Sequence, residues 1–299
     1  MTQAGVGARR AAAASPSASD RRHNLTPLHF RRLEMKYVIP ERRVPQFLRL
    51  IRPHVKLDPF LANRGTTSYP VTSMYFDSYD LQSLFAKEAG WLSRRRIRLR
   101  TYAESFQPGA TAFFEIKRRH DFLVSKDRLP LMLPADGEQW RRPVVLRQLL
   151  NATREKDPAA REEALVLDAW YNLQPTAIVA YDREAYVSRT DPEMRLTVDR
   201  ALRGSWTSRS LQQRAPLRLC GIHPTLPRLM SYGSHSSQGP IPLRASEWVI
   251  IELKFATAIP RWLHQTIMTM NLERSAYSKY AFLVRALRPN LFEATEDDD

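Results

Sequence analysis

The chain has 299 residues, with 46 Lys and Arg against 31 Asp and Glu, a formal net charge of +15, and a composition 43% hydrophobic and 10% aromatic. That content is globular, not disordered, and the length serves one large domain or two small ones with a substantial core. The single cysteine, Cys220, excludes an internal disulfide and a multi-cysteine zinc site, and no apolar run approaches the roughly 20 residues needed to cross a bilayer.

Residues 1–24 are rich in Ala and Ser, and Arg9-Arg10 is followed by only four alanines, too few for the apolar segment of a secretory signal. We read this stretch as a flexible tail, residues 25–287 as the globular part, and 288–299, ending Glu296-Asp297-Asp298-Asp299, as an acidic tail. Period-two alternation predicts strands over 32–39, 71–76, 94–102, 112–119, 177–187, 194–203 and 248–256. Between them, Pro40-Glu41 opens an amphipathic helix with Val44, Phe47, Leu48 and Ile51 at helical spacing. A short helix runs from Asp80 to Ala89 and stops at Gly90, and another spans 161–172 with Leu165, Val166 and Trp170. Residues 205–245 carry Pro, Ser and Gly throughout with no clear period and read as a long insertion. Trp262, Ile267 and Met270, then Tyr277, Tyr280, Phe282 and Leu283, read as helix core, with Lys279 presented by a C-terminal helix. Too many consecutive strands and too few helices remain for a doubly wound sheet. The expected fold class is therefore α+β, an antiparallel sheet, closed or open, flanked by helices.

The strands have one charged and one apolar face. Arg94, Arg96, Arg98 and Arg100 oppose Ile97 and Leu99; Glu115, Lys117 and Arg119 oppose Phe114 and Ile116. Arg32, Glu34 and Lys36 oppose Leu33, Met35 and Tyr37; Arg195, Thr197 and Asp199 oppose Met194, Leu196 and Val198; Glu252 and Lys254 oppose Ile251, Leu253 and Phe255. An ordinary antiparallel sheet with one wet face explains such alternation. The three repeats of a Glu two positions before a Lys, at Glu34-Met-Lys36, Glu115-Ile-Lys117 and Glu252-Leu-Lys254, favour converging charged faces instead. Packed cations repel: two unit charges about 4 Å apart cost about 4 kcal/mol at an effective dielectric near 20. Such a lumen calls for an anion. Phosphates suit Arg through paired hydrogen bonds and Lys as a point charge, and interspersed carboxylates suit a divalent cation.

In order, the segments Arg32-Leu-Glu34-Met-Lys36-Tyr37, Ser73-Met-Tyr75-Phe76-Asp77, Ile97-Arg98-Leu-Arg100-Thr-Tyr102, Phe114-Glu115-Ile-Lys117 and Ser125-Lys126-Asp-Arg128 open a pattern that continues. It runs on through Tyr181-Asp-Arg183, Arg195-Leu-Thr-Val-Asp199, Glu252-Leu-Lys254 and Ser278-Lys279-Tyr280. Over about 30–287 the chain thereby resembles the VTC domain, the polyphosphate polymerase of the triphosphate tunnel metalloenzyme, or CYTH-like, superfamily. The resemblance implies a closed antiparallel β-barrel, a tunnel with a charged interior, in a cytoplasmic enzyme that adds the ATP γ-phosphate to polyphosphate with Mn²⁺ or Mg²⁺. It also implies roles. Lys36, Arg98, Arg100, Lys117, Lys126, Arg183 and Arg195 match the phosphate ligands and Glu252 the metal ligand. Arg96, Arg128, Lys254 and Lys279 are carried over as substrate-binding, and Glu34, Glu115 and Asp199 as further metal candidates.

Two departures from relatives bear on activity. Hydrolytic members commonly begin Glu-x-Glu-x-Lys, and Arg32 stands in place of the first acid. Larger eukaryotic polymerase subunits add a phosphate-sensing domain and membrane spans that this sequence lacks. No Walker loop occurs, the one Gly-x-Gly, Gly5-Val-Gly7, lies in the tail, and the seven histidines show no paired metal spacing. Three readings stand: polyphosphate synthesis from ATP, hydrolysis of ATP or tripolyphosphate, and a non-catalytic polyanion-binding module, with no nucleic-acid partner expected for the enzyme.

Overall fold

A computed structural model describes residues 33–120, 123–133, 139–141, 145–151, 157–207, 216–218, 248–256, 258–288 and 291–292. Arg32, the proposed tail at 1–24, the acidic end from Glu293 and most of the proposed insertion lie outside the described residues. Eleven strands and seven α-helices follow in the order β1 (Leu33–Pro40), α1 (Val44–Ile51), β2 (Val55–Leu57), α2 (Pro59–Ala62), β3 (Tyr69–Asp77), α3 (Gln82–Glu88), β4 (Ser93–Thr101), β5 (Thr111–His120) and β6 (Leu123–Met132). Then come β7 (Gln139–Arg141), α4 (Val145–Asn151), α5 (Pro158–Tyr171), β8 (Gln174–Ser188), β9 (Arg195–Trp206), β10 (Pro216–Arg218), β11 (Trp248–Phe255), α6 (Arg261–Thr269) and α7 (Lys279–Leu287). The fold is α+β around one antiparallel sheet in the order β1-β11-β9-β8-β3-β4-β5-β6, with β2 also pairing β8. β7 and β10 form a separate two-stranded ladder, so part of the proposed insertion is a strand. None of the described helices is long and apolar enough to cross a membrane.

Alternation works as the sequence demands. The apolar faces of β3, β4, β5 and β8, through Met74, Ile97, Leu99, Phe114, Ile116 and Ile178, pack against α4 and α5. Those of β1, β9 and β11, through Tyr37, Ile39, Leu196, Val198, Val249, Ile251 and Leu253, pack against α1 and α6. Full burial of each such large side chain contributes about 1.5–3 kcal/mol. Pro45 lies in the first turn of α1, and its buried stripe is Val44, Phe47 and Ile51. On α5, Asp157 caps the start, accepting from the Ala160 N–H at 3.0 Å, and Asn172 ends it with a positive φ of 46°.

The stripe expected on α5 is rotated. Trp170 is 73% exposed and Val166 39%, while Ala160, Ala164, Leu167 and Asp168 are buried. Alanines let the helix approach closely, and Asp168 tolerates burial because the Arg147 guanidinium on α4 reaches it at 2.9 Å.

Two further features escaped the alternation rule. The outer face of β6 carries Asp127 before Leu129 and Leu131, so its apolar period is short, and the strand is recognisable only through its pairing with β5. A β-bulge shifts the β8–β9 register near Ala180 and Asp182, opposite Ala201 with its φ of 49°. The extra residue changes which positions face inward on β9, from Asp199 to Leu202 and Trp206.

The expected closed barrel is replaced by a curled sheet that hydrogen bonds do not close: among the described residues no ladder joins the edge strands β1 and β6. Pro130 leaves β6 one backbone donor short, as suits an edge strand. Side chains cross the gap instead. Lys117 on β5, seventh in the order, reaches Glu34 on β1, the first, at 3.3 Å. Only a sheet curled through most of a turn brings those strands together, so its polar face is concave.

Candidate active site

The concave face collects eleven of the basic side chains picked out in the sequence, Lys36, Arg96, Arg98, Arg100, Lys117, Lys126, Arg128, Arg183, Arg195, Lys254 and Lys279, with the four carboxylates picked out beside them. Each carboxylate organises its own group of cations.

Glu115, 1% exposed, sits on β5 between β4 and β6. Arg98 Nε donates to it at 2.6 Å, Arg128 Nε lies at 3.2 Å, Arg100 Nε at 3.8 Å, and Lys126 pairs with its other side. Burial pushes the Glu115 carboxyl up, but Arg98, Arg100 and Lys126 outweigh it and hold the group far below the usual carboxylate range. The Lys126 ammonium is brought down to about 8 by burial and by Arg98 and Arg100, against the opposing pull of Glu115.

Asp199 on β9 is fully buried. Arg183 on β8 donates Nε and a terminal nitrogen to its two oxygens at 2.7 and 2.8 Å, and Lys279 at the start of α7 reaches it at 2.7 Å. Burial again raises the carboxyl, and Arg183 and Lys279 win, leaving it depressed. Ser278 caps α7, accepting from the Ala281 N–H at 3.3 Å, which fixes Lys279 in the first turn and facing the sheet.

Glu34 and Glu252 lie on neighbouring strands, β1 and β11. Lys36 contacts Glu34 at 2.8 Å, Lys117 contacts it at 3.3 Å, and Lys254 contacts Glu252 at 2.5 Å. Burial and the charge of Glu252 both push Glu34 up, yet Lys36, Lys117 and Lys254 hold it at about 2. Burial likewise opposes ionisation of Glu252, and Lys254 and Lys36 reverse it. Two mutually repelling, ionised carboxylates with hard oxygen donors fit a divalent cation, whose other ligands would be phosphate oxygens and water. Among the described residues no three acidic or histidine side chains converge. Of the other two metal candidates, Asp199 has both oxygens on Arg183, and Glu115 is ringed by four cations.

Arg195, by contrast, has its side chain 60% exposed, with Asp58 at 3.9 Å. Arg94, which alternation grouped with the arginine row, donates to the Lys87 carbonyl of α3 at 3.4 Å. Burial lowers the pKa of Arg96 and of Lys117, in Lys117 against the opposing pull of Glu34. Arg96 donates to Ser278 Oγ at 2.8 Å.

The structure adds residues that charge counting passed over. Tyr75 stacks on Tyr280 with centroids 5.1 Å apart, and its hydroxyl accepts from Arg98 at 3.4 Å. Burial raises a phenol, but Arg98 and Arg100 bring Tyr75 down to about 8. The Tyr280 hydroxyl donates to buried Asp77 at 2.7 Å, and three backbone N–H groups, of Ser78, Ser83 and Leu84, donate to the same carboxylate. Period two already put Ser73, Tyr75 and Asp77 on the face of Arg98; their neutral or acidic character hid them.

Fold and site together define a protein that gathers cations on the concave side of an antiparallel sheet, with α7 covering one end. The family model of the VTC domain matches residues 31–288, so the chain belongs to the VTC domain family. Among curated proteins none matches the chain. Solved structures similar to it include the PH1819 protein of Pyrococcus horikoshii, 10% identical, covering 87% of this chain and 99% of that one, with a TM-score of 0.37. A protein of Bacillus halodurans described as a candidate adenylate cyclase is 12% identical over 82% and 92% of the two chains, with a TM-score of 0.41. HpAC1 of Hippeastrum, described as a candidate adenylyl cyclase with a dominant triphosphatase activity, is 12% identical over 83% and 94%, with a TM-score of 0.34.

Proposed function

We propose that the concave face transfers the γ-phosphoryl group of ATP to the end of an inorganic polyphosphate chain. The observation that carries this reading is the charge surplus: eleven basic side chains line the face with five carboxylates, Glu34, Glu115, Asp199, Glu252 and Asp77. A nucleoside triphosphate brings about four negative charges at neutral pH. The remaining positive charge accommodates a second phosphate chain beside the first. Family membership supports action on triphosphates.

In this reading, Arg98, Arg100 and Lys126, held by Glu115, and Arg183 and Lys279, held by Asp199, bind phosphate oxygens without moving, because their carboxylate partners fix them in advance. Lys36 and Lys117 neutralise charge on the transferring group. Arg96, Lys254 and the more exposed Arg195 extend the track for the acceptor chain, and Arg128, beside Glu115, stays with the donor nucleotide. A terminal phosphate oxygen of the acceptor attacks the γ-phosphorus in line, the bond to the β,γ-bridging oxygen breaks, and ADP leaves; no side chain forms a covalent intermediate. Glu34 and Glu252 are assigned to the divalent metal, Mn²⁺ or Mg²⁺, which supplies charge neutralisation to the phosphates.

The test incubates purified protein with ATP and Mn²⁺ and resolves the products by length. Polyphosphate of increasing length is expected; orthophosphate alone would replace synthesis with hydrolysis, and no turnover would leave a binding module whose affinity falls steeply with salt. Lys117→Ala is expected to lower turnover at least a hundredfold with the circular dichroism spectrum retained, since its contact with Glu34 is partly exposed and its removal leaves Lys36 in place. Near-normal turnover would remove Lys117 from the assignment.

A further inference from the structure

Four aromatic rings run in a row beside the cation groups. Phe60 on α2 and Tyr69 on β3 meet edge to face with centroids 5.4 Å apart, Tyr69 and Tyr102 follow at 5.6 Å, and Tyr102 and Phe113 at 5.7 Å. Two guanidiniums lie over the row, Arg64 at 4.0 Å from the Phe60 centroid and Arg128 at 3.8 Å from that of Phe113. Arg128 also reaches back to Glu115 at 3.2 Å, so one side chain joins the aromatic row to the Glu115 group.

The row shares the face of the cations. Tyr69 precedes Val71 and Ser73, Tyr102 follows Arg100, and Phe113 precedes Glu115, each by the two-residue step that keeps a side chain on one face. Across the ladders Tyr69 is the register partner of Arg183 and Phe113 of Arg100, so the rings adjoin the cations directly. Tyr69 starts β3, whereas Tyr75 and Asp77 near its end meet Tyr280 of α7.

An aromatic group packed only for stability would be closed over. Phe60 is instead 41% exposed, Tyr69, Tyr102 and Phe113 are each partly exposed, and Arg64 has no carboxylate partner among the described residues. A guanidinium stacked on a ring at 3.8–4.0 Å marks a flat, electron-rich surface of the kind on which a nucleobase stacks.

We propose that Phe60, Tyr69, Tyr102 and Phe113, with Arg64 and Arg128, form a stacking subsite for the base of the nucleoside triphosphate whose phosphates the adjoining cations hold. This rests on the phosphate-binding reading and adds to it a preference for a nucleotide over a bare phosphate chain. The subsite takes an aromatic base of any identity, because stacking and cation–π contact do not read hydrogen-bond patterns.

The test titrates the full chain, without divalent metal so that nothing turns over, with ATP and separately with inorganic tripolyphosphate. Binding is followed by calorimetry for the wild type, Phe60→Ala and Phe113→Leu. Loss of a stacked base is expected to raise the ATP Kd about tenfold, with the tripolyphosphate Kd staying within twofold. Phe60→Ala changes a part-exposed side chain outside the sheet and decides the question by itself if Phe113→Leu unfolds. Unchanged ATP affinity in Phe60→Ala, or equal weakening of both ligands, overturns the base subsite and leaves phosphate binding standing. Failure of the wild type to bind either ligand overturns both readings.

Discussion

Replacing Asp199 with Asn keeps the shape of the side chain and removes its charge, leaving Arg183 and Lys279 facing one another without their shared counter-ion. The carboxylate is 0% exposed, and the two cations are 11% and 9% exposed, so water screens little of the loss. Breaking one side of a buried ion pair costs about 3–5 kcal/mol, and Asp199→Asn is expected to fall in that range at pH 7. Urea unfolding followed by circular dichroism reads it as a lowered midpoint at unchanged slope. The sign with pH follows from linkage. Asp199 has a folded pKa below its unfolded value, near 3.9, so its contribution is complete above about pH 5 and disappears as pH falls through the depressed folded value. The wild-type advantage over Asp199→Asn should therefore be level between pH 7 and pH 5 and close below that. Tripolyphosphate should stabilise the variant more than the wild type, since it supplies the missing negative charge. A midpoint shift worth less than about 1 kcal/mol at pH 7, below the range for a buried pair, would refute the placement of Asp199 as the anchor of Arg183 and Lys279.

Lys126, brought down to about 8, loses its charge as pH rises through that value; turnover should decline above pH 8, and Lys126→Arg should move the decline upward in a pH–rate profile. An unchanged limb in Lys126→Arg would assign the titration to another group. On α5, Leu167→Ala should cost about 2–5 kcal/mol while Trp170→Ala stays within about 0.5 kcal/mol, because Leu167 is 5% and Trp170 73% exposed. Thermal unfolding of the two variants checks the rotation of the helix face, and the reverse order would contradict it.

Much of the site was legible residue by residue. Alternation placed Arg96, Arg98 and Arg100 on one face of β4, and Glu115 with Lys117 on one face of β5, and the ladder keeps them there, with Arg98 paired to Glu115 in register. Lys279 was expected on a C-terminal helix, and the structure puts it first in α7, which Ser278 caps. Arg195 illustrates the opposite case: its face is the expected one, but it lies near the start of β9 and its side chain stands 60% exposed. Strand β6 went unseen because Lys126 and Arg128 alternate with Ser125 and Asp127 over the stretch where an apolar partner face would have marked it. Tyr75 and Asp77 went unnoticed as site residues because their importance lies in contacts with Arg98 and with α7.

The amino-acid order alone determined which side chains share a face and what charge that face carries, because a strand turns successive residues to opposite sides whatever surrounds it. Only the tertiary structure decided that the sheet curls far enough for Lys117 to reach Glu34 across 83 positions and that Lys36 meets the Tyr277 carbonyl across 241. It likewise decided which cation each carboxylate holds and that a side-chain contact from β5 to β1, not a backbone ladder, bridges the opening of the curled sheet. Those outcomes depend on twist, on a bulge and on helices packed from outside, and these act between segments far apart in the chain.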